Sequence, residues 1–104
     1  MKGYLIANIT VTDPERFEHY RSKVPAVIGK YGGRYLVRGG TMDTVEGDLG
    51  LDRVVVLEFD SLEQVRRFYE SPEYQEIVQD RIAATKSNVV LVEGCEDPAA
   101  AFRS

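Results

Sequence analysis

The sequence predicts one α+β sandwich in which a strand–helix–strand unit occurs twice. Three observations carry this. Tyr4 to Val11 alternates with period two and runs into a helical stretch opened by Asp13-Pro14-Glu15. That opening is echoed at Ser61-Leu62-Glu63, where Val65 and Phe68 stand at the offsets held by Phe17 and Tyr20 in the first copy. A chain of 104 residues has room for one such domain and no second.

Each element follows from local chemistry. In the first strand Leu5, Ala7, Ile9 and Val11 form an apolar face, opposite a mixed face of Tyr4, Ile6, Asn8 and Thr10. Asp13 is a natural N-cap, and Pro14 suits the first helical turn, where its missing N–H is no loss. Phe17, Tyr20, Val24, Val27, Ile28 and Tyr31 continue at helical spacing; Pro25 within that run predicts a kink or break near Val24. Gly32-Gly33 ends the helix. Arg34 to Arg38 reads as the second strand, residues 41 to 52 as a polar hairpin loop, and Arg53 to Phe59 as the strongest, central strand. Ser61 with Gln64 makes a capping box, and Ser71-Pro72 restarts the helix with an apolar stripe of Tyr74, Ile77, Val78 and Ile82. Val89 to Val92 is the last strand, residues 1–94 form the domain, and 95–104 read as a loose tail.

Right-handed crossovers turn this order into a four-stranded antiparallel sheet with the helices on one face. The other face carries apolar residues and is uncovered, so the sequence predicts a homodimer that stacks sheet on sheet. Thirteen basic residues against 17 acids, a net charge of −4, argue against nucleic acid or an anionic membrane as partner. The single cysteine, Cys95, excludes an intrachain disulfide and fits a reducing cytoplasm. No signal-peptide core is expected after Lys2, and no apolar run approaches the roughly 20 residues of a membrane span.

Several runs in combination resemble a known family. They are Gly32-Gly33-Arg34-Tyr35-Leu36-Val37-Arg38-Gly39-Gly40, then Glu46-Gly47-Asp48, Arg53 with Val54 to Phe59, and Tyr69 with Ser71-Pro72-Glu73-Tyr74. Together they are similar to the domain-of-unknown-function family numbered 1330, over about Tyr4 to Gly94. The resemblance implies the dimeric α+β barrel superfamily, whose ferredoxin-like βαββαβ protomers pair sheet to sheet. Relatives there include small quinol-forming monooxygenases, haem-degrading enzymes, muconolactone isomerases and stress-response barrels, so the resemblance fixes no activity.

Chemistry-bearing residues are few. A hairpin centred near Glu46 sets Arg34 opposite Glu58 and Arg38 opposite Val54, with Arg34, Leu36 and Arg38 on one face. Charges on a buried sheet face must pair, which makes Arg34–Glu58 a candidate structural pair. Arg38 is the candidate anion holder, its side chain left room by Gly39-Gly40, with Tyr20, Tyr69 and Tyr74 as candidate hydrogen-bond donors to an oxygenated or aromatic ligand. His19 neighbours Tyr20 and points off the apolar stripe. One histidine and one cysteine give no metal or haem ligand set, and Asp43, Glu46, Asp48 and Asp52 do not have calcium-loop spacing. The expectation is a dimeric cytoplasmic module without cofactor that binds a small anionic or aromatic ligand. The alternative is a cofactor-independent enzyme, monooxygenase- or isomerase-like, acting on a small oxygenated or aromatic acid.

Overall fold

The computed structural model describes residues 1–95. The tail expected over 95–104 lies outside them except for Cys95, whose thiol is exposed. The elements run β1 (Gly3–Val11), α1 (Pro14–Lys30), β2 (Arg34–Arg38), β3 (Val54–Phe59), α2 (Leu62–Glu70), α3 (Pro72–Ala84) and β4 (Thr85–Glu93). The strands form one antiparallel sheet in the order β2-β3-β1-β4. This is the ferredoxin-like arrangement, with the helical part of its second half split in two at Ser71-Pro72.

Caps set the helix starts. Asp13 Oδ1 accepts from the Arg16 amide at 3.2 Å, Ser61 Oγ from Gln64 at 3.0 Å and Ser71 Oγ from Tyr74 at 3.1 Å. Each such cap contributes about 1 kcal/mol. The α1 helix passes through Pro25 without the expected break. The proline removes one donor, but Phe17, Tyr20, Val24 and Ile28 on either side of it are all buried against the sheet. Packing of that stripe outweighs one missing hydrogen bond.

The core lies between the helices and one sheet face. Leu5, Ala7 and Ile9 of β1 and Leu57 and Phe59 of β3 meet Val65, Phe68, Tyr74 and Val78 from the helices. On the other face Ile6, Val37, Val90 and Val92 are 38%, 40%, 54% and 41% exposed, so none of the described elements covers this face. The molecule is only 17 Å thick along its shortest axis, a sheet and one helical layer.

Two elements depart from expectation. The last strand begins at Thr85, four residues before Val89, and pairs with β1 along its whole length, Val11↔Thr85 to Gly3↔Glu93. Its first four residues, Thr85-Lys86-Ser87-Asn88, carry no apolar signal. Thr85 and Ser87 face the helices because Arg81 and its carbonyl give them partners there. The 41–52 segment is a loop as expected, but not a wholly polar one: it presents Val45 and Leu49 to solvent beside its acids.

Gly32 adopts φ 79°, the left-handed conformation that ends α1. Gly33 serves a different need: a Cβ there would collide with the Phe59 ring, which is 1% exposed. Gly33→Ala should therefore cost about 1–3 kcal/mol in urea melts through overpacking. Leu57→Ala in the same core should cost about 2–5 kcal/mol. A Gly33→Ala midpoint equal to wild type would show that the Phe59 ring is free to move aside.

Candidate functional site

A slip in strand pairing decides which side chains face the helices. Arg34 pairs with Glu58 and Tyr35 with Leu57, but Val37 then pairs with Val56 and Arg38 with Val55. Leu36 is the extra residue of a bulge, and a bulge exchanges the faces beyond it. Tyr35 and Arg38 consequently share the helix side with Val55 and Leu57, while Arg34 stays on the open face. The sequence reading set Arg38 opposite Val54 and on the face of Arg34. The bulge overturns both, and unbroken alternation cannot anticipate it.

On the open face, Arg34 Nη2 and Glu58 Oε1 form an ion pair, with Glu58 nearly covered and Arg34 largely exposed. Tyr4 stands opposite Glu58 across the strands, with its phenol on the same face as the carboxylate. Burial pulls the Glu58 carboxyl upward, but the Tyr4 phenol and the Arg34 guanidinium outweigh it and hold the group below its ordinary value.

On the helix side, a cavity lies between the sheet and α1 and α3. It holds ≈ 40 Å³ of space open to the centre of a water molecule, room for about three waters. Its walls are mostly apolar, and Tyr20, Tyr35 and Tyr74 with Arg21, Arg38, Arg53 and Arg81 supply its polar groups. The hydroxyls of Tyr20 and Tyr74 lie 2.9 Å apart. Burial pushes the Tyr20 phenol well above the ordinary 10 and raises that of Tyr74, with Arg81 and Tyr20 partly pulling Tyr74 back. They are neutral donors at physiological pH and cannot act as bases.

Arg81 is the group that sequence reading missed. It is 4% exposed, donates from Nη1 to Ser87 Oγ at 2.5 Å and lines the cavity with Tyr20 and Tyr74. Its Nε has no partner, and among the described residues it has no carboxylate. Burial works against its charge, but the Tyr74 and Tyr20 hydroxyls offset that and it stays a cation. The signal was present: Tyr74, Ile77, Val78, Arg81 and Ala84 are the buried residues of α3, at regular 3–4 spacing. Hydrophobicity pointed to Ile82, which is 54% exposed.

The remaining candidates separate. The Arg38 guanidinium lies 4.5 Å from the Tyr35 ring centroid at the mouth of the cavity. The space beside Gly39 is not open as expected: the Arg53 guanidinium fills it, leaving no room for a Cβ. Tyr69 packs against Tyr74 at 5.3 Å between centroids, but it lines a separate outer cleft of ≈ 340 Å³ with Arg81, Thr85 and Ser87. His19 is exposed beside Asp13, Arg16 and Asp80, away from the cavity. Among the described residues no group of three His, Cys, Asp or Glu could hold a metal ion. Nor does any carboxylate, imidazole or thiol line the cavity.

The sequence was compared with known proteins. The model of the family described as Domain of unknown function (DUF1330) matches residues 2–95. The chain belongs to that family. No curated protein matches it significantly. Among solved structures, this DUF1330 chain is similar to RPA0582, a protein of unknown function from Rhodopseudomonas palustris. The TM-score is 0.73 at 17% identity, over 92% of this chain and 84% of that one. It also matches a dimeric ferredoxin-like protein of unknown function from Jannaschia sp. CCS1, with TM-score 0.67 and 12% identity, over 90% and 100% of the two chains. SnoaB, a cofactor-independent oxygenase from Streptomyces nogalater, follows with TM-score 0.60 and 16% identity, covering 93% and 96%. At these identities the likeness is one of fold.

The carboxylates of the DUF1330 chain make its acid stability predictable. Glu73 accepts from Tyr31 Oη, with Lys30 Nζ at 3.4 Å, and the Tyr31 bond holds it below the ordinary 4.5 as Glu58 is held. A carboxyl depressed in the folded state stabilises above its unfolded value and loses that contribution as pH falls through the folded one. Stability should therefore be flat near neutrality and fall below about pH 4.5. Glu58→Gln with Glu73→Gln should flatten that acid limb while lowering the neutral plateau. Urea midpoints between pH 3 and 7 check this, and an unchanged acid slope in the double variant would refute it.

Proposed function

We propose that the protein binds a small organic acid in the cavity between its sheet and helices, as a ligand-binding or accessory module that works as a homodimer. The observation that carries this is Arg81: a guanidinium 4% exposed, with an unpartnered Nε, in a cavity whose lining holds no counter-ion. An uncompensated buried charge costs several kcal/mol, and an anionic ligand is what would offset it. Arginine grips a carboxylate through two parallel N–H bonds. One of the neutral Tyr20 and Tyr74 phenols donates to the other, which leaves the second hydroxyl proton for the same group, and Arg38 on Tyr35 is placed to meet the ligand at the mouth. Leu5, Ala7 and Ile9 offer it an apolar floor.

The enzyme alternative has one feature in its favour. The same donors would stabilise an oxyanion developing on a bound oxygenated acid, and SnoaB of like fold is a cofactor-independent oxygenase. The absence of any base among the described lining residues weighs against proton abstraction by the protein. For assembly, the exposed apolar row Ile6, Val37, Val90 and Val92 suits a second sheet, and the Jannaschia protein of this fold is dimeric. The exposed thiol of Cys95 is at home in a reducing cytoplasm.

Two experiments test these readings. Thermal-shift screening with small aromatic and 2-oxo monocarboxylates should find stabilising ligands. Arg81→Met should abolish the shift and leave the empty protein at least as stable as wild type, since a buried unpaired charge is replaced by a side chain of similar volume. Wild type unmoved by every acid, or an Arg81→Met protein that melts far earlier, would make Arg81 structural. Light scattering at micromolar concentration should give about twice the 11.7 kDa chain mass, and Val90→Glu should shift the population to monomer. A monomeric wild type would leave the open face without its proposed partner.

A further inference from the structure

The charges around the cavity outnumber what one carboxylate can use. Four guanidiniums line it, from Arg21, Arg38, Arg53 and Arg81. Arg21 is paired with Glu18 at 3.1 Å, whereas the other three have no ion-pair partner among the described residues. This is a concentration of positive charge in a chain whose net charge is −4.

The three fall into two groups on opposite sides of β1. Arg81 is tied to Ser87 on β4 and stands with the Tyr20 and Tyr74 hydroxyls. Arg53 leads into β3, where its carbonyl accepts from the Ile9 amide at 2.8 Å, and its guanidinium lies against Gly39 next to Arg38. Only β1 separates β3 from β4 in the sheet. The two backbones are thus two interstrand steps apart, about 10 Å. Each group retains an unmet buried donor, the Nε of Arg53 on one side and the Nε of Arg81 on the other. A single carboxylate a little over 2 Å wide between its oxygens serves one side and leaves the other charged and empty.

We propose that the ligand is a short dicarboxylate lying across β1, one carboxylate on Arg81 with Tyr20 and Tyr74, the other on Arg53 and Arg38. This rests on the acid-binding reading above and adds the second acid group. The apolar floor of Ala7 and Ile9 between the two groups suits a methylene body. Arg38 is exposed and covers Tyr35 at the mouth, so the outer carboxylate meets a side chain free to turn toward it. A phosphate concentrates its charge on one centre and would satisfy one group only.

Calorimetry with glutarate, monomethyl glutarate and inorganic phosphate at fixed ionic strength tests the idea. Glutarate should bind at least ten-fold more tightly than its monomethyl ester. Arg38→Gln with Arg53→Gln should bring glutarate down to the level of the ester and leave the ester within about two-fold of its wild-type affinity. A second readout needs no variant: across succinate, glutarate and adipate the affinity should peak at one length. Equal binding of diacid and ester, or no dependence on length, overturns the dicarboxylate and leaves acid binding standing. Phosphate binding as tightly as glutarate overturns it in favour of a single dianionic group. Binding by neither acid overturns both readings.

Discussion

A run of polar contacts through the interior ties the two halves of the fold together. Tyr20 on α1 meets Tyr74 on α3, Arg81 stands two turns along the same buried face of α3, and Arg81 bonds Ser87 on β4. Thr85 closes the run by donating to the Arg81 carbonyl at 2.6 Å. Removing Tyr74 or Ser87 leaves a neighbour with an unmet donor or acceptor in a region where water has little access. This is also why β4 begins at Thr85: the Arg81 guanidinium meets the Ser87 hydroxyl and the Arg81 carbonyl accepts from that of Thr85. Core, edge strand and cavity are therefore one arrangement, and the cavity is polar at one end by construction.

The bulge at Leu36 has the complementary effect at the other edge. It leaves Arg34 facing outward, where it pairs with Glu58, and turns Arg38 inward beside Tyr35. Without the extra residue both arginines would point to the open face, and the mouth of the cavity would lose its charge. Bulges are common next to binding sites for this reason: one inserted residue re-aims every side chain that follows.

The fold was legible in the sequence because its signals are local. Caps at Asp13, Ser61 and Ser71, prolines at Pro14 and Pro72, and alternation in β1 and β3 each act over a few residues. The tyrosines were legible as half-buried helical residues, and the structure brings Tyr20 and Tyr74 together while leaving Tyr69 in another cleft. What escaped depends on distant partners. Arg81 reads as a surface residue until Ser87, Tyr20 and Tyr74 are seen around it, and Thr85-Lys86-Ser87-Asn88 reads as a loop until β1 is beside it. The face of Arg38 hangs on a pairing slip that alternation cannot encode, and Arg53 finds its place only because Gly39 leaves a gap.

The missing counter-ion of Arg81 has a consequence for the protein's life in the cell. If the cavity takes an acid as proposed, the bound anion offsets that charge only in the folded chain and so acts as a folding partner. Chaperones and proteases act on the small fraction of chains that are open at any moment, and that fraction shrinks as the cavity fills. The amount of protein would then follow the supply of its ligand with no change in synthesis: scarce acid, rapid turnover; abundant acid, a longer-lived pool.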